Sequence, residues 1–443
     1  MTPTRTEDTP VHVPEEARLA GEIRDRWSWV EPCVWTDRML TALEQGVRGG
    51  RWYALIDKVY ALPTLRAAFA RVKANHGAAG VDHVTVAMYE RRLDANLAEL
   101  SDQLRTTTYR PQGIRRHWIA KLGSREQRPL GIPTVRDRIV QTALRLVLEP
   151  IFERDFAGHS YGFRPQRGAK DALRRVDGLL RAGYVYVVDA DLQAYFDSIP
   201  REPLRARVRA KVSDGRVLAL LDAFLSQEIF EGLAHWTPEA GTPQGAVISP
   251  LLANLYLDPL DHRMAAQGFE MVRYADDLVL LCRTPEEAQR ALTELRGWTA
   301  AAGVRVHPQK TRVVDATQPR GFDFLGYHFE RGYRWPRTKS LRKVKDALRA
   351  KTRRTHGHSL AVIIDDVNRT LGGWFEYFKH SHPTTFGPLD AWIRMRLRSV
   401  LRKRRGGRGR GRGSDHQRWP NRFFAEHELF SLTAARAAAV SPR

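Results

Sequence analysis

Cysteine and long apolar runs are nearly absent from this chain. Cys33 and Cys282 are the two cysteines among 443 residues, and they lie far apart in the sequence. This excludes a disulfide framework and any zinc site built from cysteine ligands. No run of about 18 apolar residues occurs, as a membrane-spanning helix would require. Residues 1–10 contain no apolar signal segment. These absences predict a cytoplasmic, bacterial protein.

Acidic residues are outnumbered by basic ones. The chain has 72 Lys and Arg against 50 Asp and Glu, which gives a formal net charge of +22. Such an excess predicts a polyanionic partner and association with the nucleoid. A membrane surface is the competing partner, but neither a long basic amphipathic helix nor a lipidation motif is present. Arginine supplies 60 of the 72 cations. It makes forked contacts with phosphate, although a GC-rich genome also favours it.

Two stretches place acidic residues at the ends of predicted strands. Tyr274-Ala-Asp-Asp277 interrupts an apolar run and predicts a hairpin turn. A β-branched and aromatic run predicts another strand, which ends in Asp189, Asp191 and Asp197. Magnesium prefers such oxygen ligands, and two ions about 4 Å apart can stabilise an in-line phosphoryl transfer. For the turn alone, a solvated hairpin is an equally good interpretation, because Asp is common in turns.

The remaining pattern predicts an α+β fold. Residues 114–122 and 128–132 predict a hairpin, and Asp137 is predicted to cap the long helix that follows. Residues 321–329 predict one strand with alternating aromatics. Past about residue 338 strands cease, and three amphipathic helices are predicted. We therefore expect a small antiparallel sheet with helices on one face, followed by a helical domain.

Further candidate binding residues lie on loops and in the basic C-terminal region. Lys121 and Arg128 flank the first hairpin turn and could hold a triphosphate, but two surface charges are the simpler interpretation. The Gly/Pro loop at 241–250 carries Gln244, which offers a fixed amide. Residues 391–413 contain ten Arg or Lys and no acid, which predicts salt-dependent phosphate binding. The candidate RNA-binding residues there are Arg394, Arg396, Arg398, Arg402, Lys403, Arg404 and Arg405.

Taken in order, these motifs resemble those of reverse transcriptases of the group II intron type. Tyr274-Ala-Asp-Asp277, Asp191-Leu-Gln-Ala-Tyr-Phe-Asp197 and Gly241-Thr-Pro-Gln-Gly245 carry the resemblance, which extends from about residue 52 to 430. Each motif is weak alone, but the ordered series is specific. The resemblance implies a right-hand polymerase whose helical part is the thumb, called the maturase domain in this family.

The resemblance also implies roles for particular residues. Asp191 and Asp276 would bind two magnesium ions, with Asp277 as a third carboxylate. Phe196 would exclude a ribose 2′-hydroxyl, and Gln244 would position the incoming nucleotide. The implied metal ligands are Asp191, Leu192, Asp276 and Asp277, and the implied nucleotide-binding residues are Lys121, Arg128, Phe196, Gln244 and Lys310.

This sequence departs from the family pattern in several places. Gln193 and Ala194 replace the usual Lys-Gly, and the spacing from Lys121 to Arg128 is one residue longer than is typical. No Cys-rich endonuclease domain follows the thumb, which resembles the lineages lacking one. The expected division is an N-terminal extension, partly disordered, at 1–50, fingers and palm at 51–337, thumb at 338–401 and a basic tail with a short element at 402–443.

The function predicted from the sequence is RNA-directed DNA polymerase activity, together with intron RNA binding, splicing assistance and retrohoming. The expected partners are group II intron RNA, an RNA template with a DNA primer, target DNA and dNTPs, with a homodimer left open. One alternative is an RNA-binding maturase whose polymerase is idle. Another is a domesticated relative in phage defence or CRISPR spacer acquisition.

Overall fold

A computed structural model describes residues 15–120 and 127–440. The helices are α1 (Glu15–Arg26), α2 (Asp37–Gln45), α3 (Ile56–Tyr60), α4 (Leu62–Ala74), α5 (Val86–Glu90), α6 (Leu93–Arg105), α7 (Val135–Glu153), α8 (Ala169–Arg181), α9 (Tyr195–Ser198), α10 (Arg201–Arg209), α11 (Gly215–Leu225), α12 (Ser249–Ala266), α13 (Pro285–Ala301), α14 (Thr338–Lys351), α15 (Leu360–Phe378), α16 (Phe386–Arg404), α17 (Asp415–Arg418), α18 (Asn421–Glu426) and α19 (Leu432–Val440). The strands are β1 (Ile114–Ala120), β2 (Gln127–Ile132), β3 (Tyr186–Asp191), β4 (Ile229–Glu231), β5 (Ala234–Trp236), β6 (Glu270–Tyr274), β7 (Asp277–Cys282), β8 (Arg312–Asp315), β9 (Phe322–Phe324), β10 (Tyr327–Glu330) and β11 (Tyr333–Pro336). No helix in the described ranges has the length and apolar character needed to cross a bilayer.

The palm sheet has the strand order β6-β7-β3-β8 and is antiparallel throughout. Its side chains alternate between two buried faces. Val188 and Leu280 pack with the core that includes α12 and α13, whereas Val187 and Val279 pack with α8 and the aromatics of β9 and β10. The expectation of helices on one face was therefore wrong, because α8 and the β9–β10 hairpin cover the second face.

The fingers sheet has the order β2-β1-β4-β5 and leads into α7. The predicted cap of α7 was wrong by three residues. Thr134 is the N-cap, and its hydroxyl accepts a hydrogen bond from the Asp137 backbone N–H at 3.1 Å. Asp137 is buried instead and accepts a hydrogen bond from the Tyr109 hydroxyl at 2.6 Å. Burial raises the pKa of Asp137 to about 6.

The N-terminal segment packs onto the fingers. The Trp35 side chain is buried, and its indole N–H donates to the Leu146 carbonyl of α7 at 3.0 Å. Trp27, Val34 and Leu40 join the same apolar core. Residues 27–43 thus share a core with α7, and residues 1–14 lie outside the described ranges.

The aromatic stretch at 321–329 forms a hairpin, not the single strand predicted. β9 and β10 pair antiparallel, with Phe324 opposite Tyr327. The turn is left-handed at Leu325, with φ of 46°, and at Gly326, with φ of 85°. The alternating pattern was correct for each strand, but alternation of apolar residues does not reveal a two-residue turn between them.

The thumb helices α14, α15 and α16 share one apolar core with the C-terminal helices. Trp419, Phe424 and Leu432 pack into the same cluster as Leu371 and Leu397. The basic segment beyond α16 folds back on it, since the Gly411 N–H donates to the Ser399 hydroxyl at 2.9 Å.

Arg398, a predicted RNA-binding residue, is a structural residue in the thumb. Its residue exposure is 3%. Its guanidinium donates to the Trp419 carbonyl at 2.8 Å and to the Asn421 amide oxygen at 2.9 Å. These contacts hold the C-terminal helices, and RNA binding by Arg398 stays a prediction.

Candidate active site

The two paired aspartates lie at the tip of the β6–β7 hairpin. Tyr274 and Asp277 pair across it, which leaves Ala275 and Asp276 as the turn. Ala275 has φ of 60°, in the left-handed region. Gly162 packs directly against this turn, because a Cβ there would lie 2.3 Å from the Ala275 nitrogen. The glycine therefore permits a close backbone approach that any side chain would prevent.

A buried arginine fixes this turn from beneath. Arg273 is 1% exposed, and its Nε donates to Asp261, which is 0% exposed, at 2.8 Å. Its Nη1 donates to the Asn254 side-chain oxygen at 2.9 Å and to the Ala275 carbonyl at 3.0 Å. The Asn254 amide in turn donates to the Gly162 carbonyl at 2.8 Å. This cluster of Arg273, Asp261, Asn254 and Gly162, here called the turn anchor, was missed in the sequence. The feature of the sequence that could have revealed it is Arg273, a single arginine within an apolar strand.

The β3 strand brings Asp191 to the same turn. Asp191 lies directly opposite Asp277 in the β3–β7 register, so their Cα atoms are about 5 Å apart. Burial raises the pKa of Asp276, and the neighbouring Asp191 charge raises it further. Because Asp276 directly precedes Asp277 in the chain, the same register places Asp276 beside Asp191.

The other two acids near the turn make protein contacts. Burial raises the pKa of Asp277 to about 7, as do the charges of Asp189, Asp276 and Asp191. A hydrogen bond from the Leu325 backbone opposes this shift. Burial also raises the pKa of Asp189 to about 6, while Arg312, 3.4 Å from its carboxylate, opposes that shift. Asp189 therefore has a cation of its own.

The residues at the turn fit an open divalent-cation site. Within the described ranges no three His, Cys, Asp or Glu side chains form a closed metal site. Magnesium, however, commonly binds one or two carboxylates and takes its other ligands from water and substrate phosphates. The Lys310 ammonium lies 2.7 Å from the Asp191 carboxylate, so Asp191 already attracts a cation. Leu192 is buried, and only its backbone carbonyl could contribute.

Four of the five predicted nucleotide-binding residues lie in the described ranges. Arg128 Nε donates to the Gln244 side-chain oxygen at 3.2 Å, which joins the fingers strand β2 to the loop at 241–245. The Phe196 ring is buried and meets the half-exposed Phe163 ring edge-on, 6.4 Å between centroids. Lys310 contacts Asp191. Lys121 lies outside the described residues.

Ala194 lies where the resemblance implies a glycine, and its backbone has a conformation that glycine favours. Its φ of 46° and ψ of 41° lie in the left-handed region, at the N-cap of α9. A Cβ in this conformation costs roughly 1–2 kcal/mol. The strain lies between Asp191 and Phe196, on the connection that orients both.

Ala194→Gly should therefore stabilise the protein. We expect the free energy of unfolding to rise by about 1 kcal/mol, because glycine adopts this conformation without a steric penalty. Urea unfolding followed by circular dichroism measures it. Ala206→Gly in the exposed face of α10 is the matched control and should lower stability by a similar amount. A decrease for Ala194→Gly would contradict the assignment of strain.

The predicted RNA-binding residues of the thumb differ in what they contact. Arg396 donates to the Thr352 hydroxyl at 3.0 Å and carbonyl at 2.9 Å. Arg402 donates to Asp415 at 2.6 Å, and Arg404 donates to the His358 carbonyl. The Arg405 guanidinium lies 6.0 Å from the Trp419 ring. Arg394 is half-buried, and Lys403 is exposed.

A second basic surface was missed in the sequence. The Trp392 ring is approached by Lys345 at 5.8 Å, Arg349 at 5.6 Å and Arg396 at 5.9 Å. Burial lowers the pKa of Arg396, and so do the charges of Arg349, Arg354 and Arg410. We call this surface the Trp392 face, comprising Lys345, Arg349, Arg354, Trp392, Arg396 and Arg410. It combines an aromatic ring with clustered cations, a composition suited to nucleic acid.

Comparison with known proteins agrees with this geometry. Residues 119–329 match the family described as reverse transcriptase (RNA-dependent DNA polymerase). Residues 341–419 match the group II intron maturase-specific domain. Protein YkfC of Escherichia coli (strain K12) is 35% identical over 292 residues, covering 57% of this chain and 76% of YkfC. The group II intron-encoded protein LtrA of Lactococcus lactis subsp. cremoris is 38% identical over 168 residues, covering 38% of this chain and 28% of LtrA.

A solved structure is also similar, the partial Cas6-RT-Cas1–Cas2 complex. It has a TM-score of 0.37 and 25% sequence identity, and the match covers 56% of this chain and 42% of that chain. The match is weak, so the assignment depends on the sequence comparisons. The present chain spans less than half of that protein and less than a third of LtrA.

The fold, the paired aspartates and the matched families define a reverse transcriptase that carries a maturase domain. The chain belongs to the group II intron-encoded reverse transcriptases and maturases. The predicted family, α+β fold class, and RNA-directed DNA polymerase and maturase function are confirmed at this level. The alternatives of an idle polymerase and of a domesticated defence enzyme are not favoured, since the relatives include intron-encoded proteins.

Proposed function

We propose that this chain extends a DNA primer on an RNA template with Asp191 and Asp276 as the catalytic carboxylates. The observation that supports this is their convergence at one turn, where Asp191 lies opposite Asp277 and is contacted by Lys310, and where the Asp191 charge raises the pKa of Asp276. Mg²⁺ is the proposed ion, because the available donors are hard oxygens. Asp277 would contribute negative charge to the site more than direct coordination of the ion. Leu192 would contribute its backbone carbonyl as a ligand.

Metal ions held by Asp191 and Asp276 would neutralise charge during attack of the primer 3′-hydroxyl on the α-phosphate and departure of pyrophosphate. The protein residues provide position. Arg128 would contact the triphosphate and could share this task with Lys121. Lys310 would transfer from Asp191 to the nucleotide phosphates once the carboxylate is occupied. The Phe196 ring would lie under the sugar and disfavour a 2′-hydroxyl.

The proposed partners are an RNA template with a DNA primer, dNTPs, target DNA and the host intron RNA. The net charge of +22 supports polyanion binding. We further propose that the thumb binds intron RNA and assists splicing and retrohoming. The four-part division of the chain made from the sequence remains a proposal, with Trp419, Phe424 and Leu432 indicating that the last part packs with the thumb.

Primer extension with the purified full chain tests the polymerase proposal. A DNA primer annealed to RNA should be extended in the presence of Mg²⁺ and dNTPs. Excess EDTA should stop the reaction, and added Mg²⁺ should restore it. A parallel reaction with NTPs should extend poorly, because Phe196 discriminates against ribose. Absence of extension on any RNA template, with a folded protein, would refute the proposal.

The Trp392 face should contribute to the salt dependence of RNA binding. Changing Lys345, Arg354 and Arg410 to Gln should reduce the slope of log K against log salt by about 2–3, since each phosphate contact contributes about 0.7–0.9. Filter binding to the native intron RNA at several salt concentrations measures this slope. A control variant with Arg38, Arg209 and Arg290 changed to Gln loses the same charge from exposed positions elsewhere. Equal slopes for both variants would argue against a specific RNA contact.

A further inference from the structure

Asp197 is a carboxylate near the active site, and it has no role in metal binding in the proposed mechanism. It lies in α9, and its side chain accepts a hydrogen bond from the Gln244 amide nitrogen at 3.0 Å. Burial raises its pKa, while Arg116, the Gln244 hydrogen bond and Arg128 lower it. The charges acting on Asp197 thus come from the fingers, and neither Asp191 nor Asp276 is among them. Asp197 therefore belongs to the loop at 241–245 and not to the acidic cluster.

The opposite end of the Gln244 amide is held as well. Arg128 Nε donates to its side-chain oxygen at 3.2 Å. A glutamine amide turned by 180° exchanges its donor and its acceptor. The turned amide would place an NH₂ group against the Arg128 guanidinium and an oxygen against the Asp197 carboxylate. Both contacts would be repulsive, so these two charged neighbours select a single orientation.

The backbone of the loop is fixed independently of this side-chain contact. The Gln244 carbonyl accepts a hydrogen bond from the Gly131 N–H at 2.6 Å, and the Thr242 N–H donates to the Phe196 carbonyl at 2.7 Å. Gly241, with φ of 83°, packs so closely on Asp197 that a Cβ would lie 2.7 Å from its Cα. Loss of the Asp197 carboxylate would consequently release the amide while the path of the loop is retained.

We propose that Asp197 is a positioning residue that orients the Gln244 amide for the incoming dNTP. It acts through Gln244, and it touches neither the ions nor the nucleotide. The remaining N–H and the second lone pair of the amide would then face the nucleotide in one fixed orientation. Nucleotide binding would therefore not lose the entropy needed to order the amide. This inference rests on the proposed function, because it assumes that Gln244 contacts the dNTP.

A double-mutant cycle on single-nucleotide incorporation tests the proposal. Asp197→Leu, Gln244→Ala and the double variant are compared with the unchanged chain at saturating Mg²⁺. Asp197→Leu should raise the KM for dNTP by about tenfold, the usual scale for one hydrogen bond to a charged group, with kcat changed less. In the Gln244→Ala background the same substitution should change KM by less than about twofold. Asp197→Asn, whose carbonyl still accepts, should restore KM to within about threefold.

Two further measurements separate this role from its rivals. The Mg²⁺ concentration for half-maximal rate should be unaltered by Asp197→Leu, whereas a metal ligand would shift it upward. Asp222→Leu, which removes the Arg205–Asp222 contact between α10 and α11, controls for general destabilisation. If the unchanged chain extends primers but Asp197→Leu has the same effect in both backgrounds, the positioning role is refuted. If the unchanged chain extends no primer, the proposed function fails instead.

Discussion

Changing Asp191 to Asn should lower the rate of primer extension by roughly a thousandfold or more. The substitution removes one negative charge from the pair that would hold the ions, and a loss of about 4 kcal/mol in transition-state stabilisation corresponds to that factor. Single-turnover extension on an RNA template measures it. Asp276→Ala, Asp277→Ala should abolish extension, while binding of the intron RNA should be retained, because the cations proposed to bind RNA lie elsewhere.

Asp189→Asn is the matched control for this experiment. Asp189 lies two residues earlier on the same strand and face, and it is paired with Arg312. Asp189→Asn should lower the rate of primer extension by less than about tenfold, since the Asp189 carboxylate already has a protein partner. Circular dichroism should show that both variants are folded. If Asp189→Asn and Asp191→Asn were equally damaging, the position of the ions would have to be reassigned toward the Arg312 side.

The features of this site that could be predicted are those determined by residues close together in the sequence. Alternating apolar residues around Tyr274-Ala-Asp-Asp277 predict the hairpin without any tertiary information, since strand and turn preferences act over a few residues. The strand ending at Asp191 follows from the same reasoning. Bringing the two together required the order of motifs along the chain, because pairing of β3 with β7 joins residues far apart in sequence.

What could not be predicted depends on long-range packing. The second face of the palm sheet is covered by α8 and the β9–β10 hairpin. The local sequence of these elements does not show which face of the sheet they pack against. Arg398 has the same local sequence character as exposed Lys403, yet one is buried and the other is in solvent. A charge run therefore predicts a basic region but does not distinguish phosphate contacts from internal hydrogen bonds.

The turn anchor should carry a large share of the protein's stability. Arg273→Met leaves the buried Asp261 carboxylate without its partner, and such a loss costs roughly 3–5 kcal/mol. Burial lowers the pKa of Arg273, but the charge and the hydrogen bond of Asp261, with the charges of Tyr195 and Asp258, together raise it. The charged state of Arg273 therefore depends on Asp261. Urea unfolding at neutral pH measures the loss. Arg175→Met on the exposed Arg175–Glu270 pair, at the other end of β6, should cost less than about 1 kcal/mol.

The double variant Arg273→Met, Asp261→Leu should separate stability from activity. Replacing both charges with apolar side chains removes the unpaired carboxylate, so most of the lost stability should return. Primer extension should stay low, because the Ala275 carbonyl and the Asn254 amide then lack the guanidinium that fixes the turn. We expect at least a tenfold deficit in rate, of the size found when one supporting contact of a metal site is removed. Recovery of both stability and rate would show that packing beneath the turn suffices and that the hydrogen bonds to its backbone are dispensable.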